Sequence, residues 1–180
     1  MKKLDNDNII VLSFKLCLIC FVMSVILAYL NSVTAPKIEA SRAAEAAREM
    51  EAIISGADFV PVNDSVYEAK KDGETAGYIA NITTEKGYGG KIGMLVGFSA
   101  DFEIIGIKFV GDFSETPGLG SRVKEDEFTS KFIGKKDTEV IKGKASRDNE
   151  VEAISGATIS SRAVNDGVLL AQEAVKEALK

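Results

Sequence analysis

Residues 155–158 read Ser-Gly-Ala-Thr, and the hydroxyl of Thr158 is the group in this chain best placed for chemistry. The chain enters from Val151 as a short apolar strand and turns at Gly156. A long amphipathic helix follows, with Val164, Val168, Ala171, Val175 and Leu179 at the spacing of one buried face. Ser160 or Ser161 stands where an N-cap belongs. Thr158 then lies just before a helix N-terminus, where unpaired N–H groups and the dipole favour an anion. A phosphate esterified to Thr158 would sit in that field. The tripeptide recurs at Ser55-Gly56-Ala57, but Asp58 follows it and offers no hydroxyl to esterify. On four residues alone an ordinary strand–turn–helix junction explains the pattern better, because short motifs recur by accident.

Two glycine-rich loops are the other candidates. Gly87-Tyr88-Gly89-Gly90 could bring backbone and a ring close to a planar ligand, although a flexible interstrand turn explains it as well. Glu115-Thr116-Pro117-Gly118-Leu119-Gly120 says more. Pro117-Gly118 suits the centre of a type II turn, and the glycines flanking Leu119 leave backbone N–H groups uncovered. Such a loop can hydrogen-bond a cofactor without any ionisable side chain. A surface turn explains it equally until the loop is joined to Thr158.

Composition removes whole classes of mechanism. The chain has no His, which excludes His-based dyads and triads and His-ligated zinc or haem. Redox or transfer chemistry must therefore borrow an external cofactor. The net charge of -5 and the lack of a basic stripe argue against nucleic acid as a partner. Both cysteines, Cys17 and Cys20, fall in the apolar N-terminal segment and read as small residues of a membrane helix. The remainder can hold neither a disulfide nor a Cys-ligated cluster. No catalytic residue and no metal-ligand set is assigned.

The elements that position these residues follow in order. Residues 9–30 are long and apolar enough to span a bilayer, which takes about 20 residues. Lys15 reads as a snorkelling side chain. Lys2 and Lys3 place residues 1–8 in the cytoplasm and the main domain outside, against nearly balanced charge at Lys37 and Arg42. Pro36 after Val33-Thr34-Ala35 argues for a retained span rather than a cleaved signal. Residues 31–56 read as a juxtamembrane helix or linker, capped by Thr34 with Pro36 in its first turn. It either stands the domain off or packs on it.

Residues 57–180 form the remaining domain. Strands are expected over 66–70 and 75–84 around Lys71-Asp72-Gly73-Glu74, then over 92–98 and 102–110. A short helix over 125–133 turns Phe128 and Phe132 inward, and 135–150 reads as solvated loop and edge. Four strands followed by helices imply an α+β domain with an antiparallel sheet.

The combination is more specific than its parts. Asn31-Ser32-Val33-Thr34-Ala35-Pro36 after an apolar span, Gly87-Tyr88-Gly89-Gly90, Glu115–Gly120 and Ser155-Gly156-Ala157-Thr158 occur in this order. Together they resemble the FMN-binding subunits of ion-translocating membrane oxidoreductases. The likeness covers essentially the whole chain. It looks most like the G subunit of Rnf complexes and less like the typically larger C subunit of sodium-translocating NADH:quinone reductases. The resemblance implies one FMN per chain, joined through its phosphate to Thr158 by a separate flavin transferase with FAD as donor. It further implies contacts from Ser155, Gly156, Ala157, Glu115, Thr116, Gly118, Leu119 and Tyr88. The family commonly has Asp six positions before the Thr; here it is Glu152. The implied role is a non-autonomous, electron-carrying component of a ferredoxin:NAD oxidoreductase that moves Na⁺ or H⁺. It would work with other membrane and peripheral subunits in a bacterial or archaeal cytoplasmic membrane, its domain extracytoplasmic. A membrane-anchored scaffold module and a free-standing reductase are the rival readings.

Overall fold

The computed structural model describes residues 6–180, with side chains from Ile9 onward; the expectation resting on Lys2 and Lys3 lies outside them. Two compact units are present, Met1–Ala43 and Ala44–Lys180. The first is helix throughout its described part. One helix, α1, runs Asn6–Ile53 with Pro36 in its interior, so Thr34 caps nothing and the expected break after the apolar run is absent. A proline in a helix interior forfeits one backbone hydrogen bond. The surrounding run of Ala, Glu and Arg carries the helix through. Ile9 to Leu30 expose large apolar side chains on every side, the pattern of a helix solvated by lipid. The helix is long and apolar enough to cross a membrane. Cys17 and Cys20 are exposed and unbonded.

The second unit is α+β, as expected. Its sheet is an antiparallel meander, β1 (Asp58–Pro61), β2 (Val66–Lys71), β3 (Glu74–Thr84), β4 (Ile92–Ser99) and β5 (Ile104–Phe113), in that spatial order. Asp72 (φ 55°) and Gly73 (φ 86°) form the two-residue β2–β3 turn, both left-handed, which matches the strand twist. Four strands are expected from sequence; the fifth, β1, is an exposed four-residue edge with only Phe59 packed inward.

Strand β4 lies between β3 and β5 and is buried on both faces. Ile92, Met94, Val96 and Phe98 point into the main core, which also receives Phe128, Phe132 and the inner face of helix α3 (Thr158–Ala178). Gly167 lets α3 approach β4 closely, since a Cβ there would lie 2.7 Å from the Met94 Cε. Val164, Val168, Ala171 and Val175 are buried as the periodicity requires, whereas Leu179 lies beyond the helix and is exposed. The expected 125–133 helix is α2 (Asp126–Thr129) continued by a 3-10 turn, with Phe128 and Phe132 edge to face at 5.4 Å.

The opposite face of the sheet buries Ile79, Leu95 and Val110 under Met50, Ile53 and Ile54. The end of α1 therefore packs on the sheet. Ile53 sits over the cross-strand pair Gly97 and Gly106; a Cβ on Gly97 would lie 2.3 Å from its Cγ2. Gly97→Ala is expected to cost roughly 1–3 kcal/mol by overpacking. Most of that loss should vanish in an Ile53→Ala background, a coupling read from urea unfolding of the four chains.

Residues 135–150 are more ordered than their composition suggests. They contain β6 (Glu139–Ile141), paired in parallel with β7 (Glu150–Glu152), which leads directly into the Ser155–Thr158 corner. Buried Glu150 holds the return between them. It accepts from the Ser146 amide at 2.7 Å and hydroxyl at 3.0 Å, and from the Arg147 amide at 3.1 Å and Nε at 2.6 Å. The Ser146 backbone bond, then Arg147, hold its pKa down at about 2 against an ordinary 4.5. A depressed carboxylate pKa stabilises the fold above the unfolded value and loses that contribution as pH falls through the folded one. Thermal stability should drop between about pH 4.5 and 2 in the native chain, and Glu150→Gln should flatten that limb while being less stable at neutral pH.

Candidate functional site

The corner before α3 is built by two features of the sequence. Ala157 N–H donates to the Ile154 carbonyl at 2.9 Å, and Gly156 takes the positive φ (82°) that the third residue of a type II turn needs. Helix α3 then starts at Thr158, earlier than Ser160 or Ser161 would allow as caps. The N-cap residue is Ala157, which has no side-chain oxygen to offer the first turn. Both serines are used elsewhere. Ser161 Oγ donates to the Ala157 carbonyl at 2.9 Å and accepts from Ile154 N–H at 3.1 Å. Ser160 Oγ donates to Glu115 Oε2 at 2.7 Å. The opening N–H groups of a 21-residue helix are thus left without a side-chain cap, beside the Thr158 hydroxyl.

The Glu115–Gly120 loop faces this corner with a turn of the same kind. Leu119 N–H donates to the Thr116 carbonyl at 3.2 Å, and Gly118 has φ 75°. Its backbone is less free than the glycines suggest, because Gly118 N–H donates to Ser121 Oγ at 2.9 Å. The two turns touch: a Cβ on Gly156 would lie 2.9 Å from Leu119 Cδ1. Gly156 therefore serves both the turn and the close approach of Leu119.

Glu115 is the buried centre of the arrangement, 7% exposed. Its Oε1 accepts from Gly89 N–H at 3.4 Å while Oε2 takes the Ser160 hydroxyl. Gly87 and Gly120 press against the carboxylate; a Cβ on Gly120 would come within 2.3 Å of Oε2. One side chain thereby ties the Gly87–Gly90 loop, the Gly120 turn and the first turn of α3.

These walls enclose a cavity of about 570 Å³. It is lined by Thr158, Gly156, Ala157, Glu115, Thr116, Leu119 and Tyr88, together with Gly120, Lys142, Ile159 and Ser160. Ser155 and Gly118 stand outside it: Ser155 lines the neighbouring hollows, and Gly118 is at the turn apex. Lys142, Ile159 and Ser160 have no motif to mark them as lining residues. Tyr88 (70%), Leu119 (44%) and Ile159 (55%) are exposed around the cavity, an apolar rim beside an anion-favouring corner.

The repeated tripeptide at Ser55-Gly56-Ala57 has the opposite polarity. It ends α1 rather than beginning a helix, with Gly56 at φ 71° and its N–H held by Glu51 Oε1 at 2.8 Å. A helix C-terminus presents carbonyls and repels an anion.

Residues 87–180 match the family model of the FMN-binding domain. Over 86% of its length this chain is 37% identical to the G subunit of the Na⁺-translocating ferredoxin:NAD⁺ oxidoreductase complex of Acetobacterium woodii, covering 87% of that protein. Over 97% of its length it is 34% identical to the G subunit of the proton-translocating complex of Clostridium ljungdahlii, covering 95% of it. The chain belongs to the Rnf G-subunit family. Among solved structures, the C subunit of the Na⁺-translocating NADH-quinone reductase of Parabacteroides distasonis superposes with a TM-score of 0.56 at 25% identity, over 76% of this chain and 84% of that one. That protein is thus a structural cousin, and the sequence relatives over most of the chain are Rnf G subunits.

The domain of this Rnf G-subunit family member fits the group its family binds. The cavity has the size of a cofactor site, an apolar rim suited to a fused ring, and an uncapped helix start suited to a phosphate.

Proposed function

We propose that this chain is an electron-carrying subunit of an ion-translocating ferredoxin:NAD oxidoreductase, with FMN joined by a phosphoester to the Thr158 hydroxyl. The observation that carries this reading is the Thr158 hydroxyl at the uncapped start of α3, opening on the Glu115–Leu119 cavity. FMN would supply both one- and two-electron chemistry at a single group. The chain's own residues do the holding. The first turn of α3 stabilises the diester's remaining charge, Leu119 and Tyr88 cover the ring, and Glu115 keeps the walls together. Linkage through the phosphate leaves the ring unmodified and prevents loss of a cofactor outside the cytoplasm.

In this reading residues 1–8 are cytoplasmic, residues 9–30 cross a bacterial or archaeal cytoplasmic membrane, residues 31–56 connect, and residues 57–180 form the extracytoplasmic flavin domain. A flavin transferase matures it, and the other subunits of the complex donate and accept electrons. With one span among the described residues, the chain carries electrons and leaves the ion path to its partners. Throughput of the purified complex tests the role: Thr158→Ala should cut ferredoxin-dependent NAD reduction at least tenfold with all subunits present. Unchanged throughput would mean a scaffold.

A further inference from the structure

Thr158 sits between two cavities. The first holds the apolar rim already described, and the second, about 530 Å³, lies on the other side of the corner. Both include Lys142, Gly156 and Thr158, and the second adds Lys144 and Glu152. We propose that Lys142, presented by a loop that Glu152 closes, is the cation that binds the phosphate carried at Thr158, with Lys144 in support. This inference rests on the reading of Thr158 as the flavin anchor.

The placement follows from the register of the short parallel pair. Ile141 is paired with Glu152, and Ala153 N–H donates to the Ile141 carbonyl at 2.9 Å, so Lys142 leaves β6 alongside the Ala153–Ser155 approach to the corner. Gly143 turns the chain at φ 100°. Glu152 Oε1 then accepts from Ala145 N–H at 3.0 Å, folding Lys142-Gly143-Lys144 back over the second cavity. Glu152 is thus a positioning residue. Its Oε1 is engaged by the loop backbone.

Charge points the same way. Among the described residues Lys142 and Lys144 make no ion pair, while Lys135 to Arg147 otherwise supply Lys136 to Glu103 and Arg147 to Glu139 and Glu150. Two unpaired ammonium groups lining a cavity at a phosphate-bearing hydroxyl are a counter-ion for that phosphate. The uncapped helix start faces the same group, so the diester would be met from two sides. Cation and dipole act on the phosphate and not on the ring, so their removal should be felt only by ligands that carry one.

The test uses that distinction. Full-length chain in detergent micelles, carrying Thr158→Val to block esterification, is titrated with FMN and with riboflavin, following flavin fluorescence. The parent should prefer FMN. Lys142→Gln should weaken FMN about fivefold and leave riboflavin unchanged, Lys142→Arg should restore the preference, and Lys142→Gln/Lys144→Gln should lose more. Glu152→Ala should imitate Lys142→Gln, whereas Glu152→Gln, which keeps an acceptor for Ala145 N–H, should retain the preference. An FMN preference untouched by the double lysine change overturns the proposal while leaving the anchor intact. A parent that binds neither flavin, with Thr158 bare in the native chain, removes the anchor and the proposal together.

Discussion

Thr158→Ala, made alongside a flavin transferase, should show no flavin fluorescence in a denaturing gel, where the native chain shows a bright band. The loss should be complete rather than partial, because among the described residues Thr158 alone places a hydroxyl at the first position of an uncapped α-helix. Ser160 and Ser161 lie within a turn of it, but both hydroxyls are buried and committed, to Glu115 and to Ala157. Thr158→Ser keeps the hydroxyl and should keep the band. Folding should be little affected. Thr158 is the first helical residue, where Ala is a good helix former, so stability should stay within ~0.5 kcal/mol. A fluorescent Thr158→Ala chain would move the linkage elsewhere.

Glu115→Ala should have the next largest effect, on the fold and the cavity together. It strips the acceptor from the Ser160 hydroxyl and the Gly89 amide, and it empties the space against which Gly87 and Gly120 pack. Hydrogen bonds to a charged partner contribute about 1.5–3 kcal/mol each, and the open cavity lets water replace part of that. A net loss of about 2 kcal/mol, or roughly 8 °C in Tm, is expected. Glu115→Gln should lose much less, since its carbonyl can take Gly89 N–H and its amide can donate to the Ser160 hydroxyl. The functional signature is accessibility. Iodide should quench the attached flavin more strongly in Glu115→Ala than in the native chain, because the Gly87–Gly90 wall is released. Equal quenching would show that Glu115 only supports the fold.

The fold is legible in the sequence wherever one physical cause acts alone. Strands β2 to β5 show because apolar stretches alternate with turn chemistry; Asp72-Gly73 in particular forces a hairpin. The buried face of α3 shows because four of its five periodic apolar positions are core residues. Strand β1 does not show, since a short exposed edge has no hydrophobic pattern to display. The path of α1 through Pro36 does not show either, because proline before an Ala- and Glu-rich run looks the same at a helix start as inside one.

The site divides in the same way. Turn residues such as Gly118 and Gly156 announce their conformations, and Thr158 stands out by its hydroxyl. Ser160 misleads because a capping serine and a serine donating to a buried carboxylate have the same local sequence. Gly118 N–H looks free in the sequence, but Ser121 three residues on takes it. Lys142 reaches the cavity only through the pairing of β6 with β7, a register that no motif marks. Long-range register is what a single sequence hides best.

Whether Thr158 carries the flavin is decided by peptide mapping of residues 151–162, by mass spectrometry, from the natively assembled complex. The expected peptide is heavier by one FMN, less the water lost in esterification, with the modification on Thr158. A bare Thr158 in a complex that still carries electrons would contradict it.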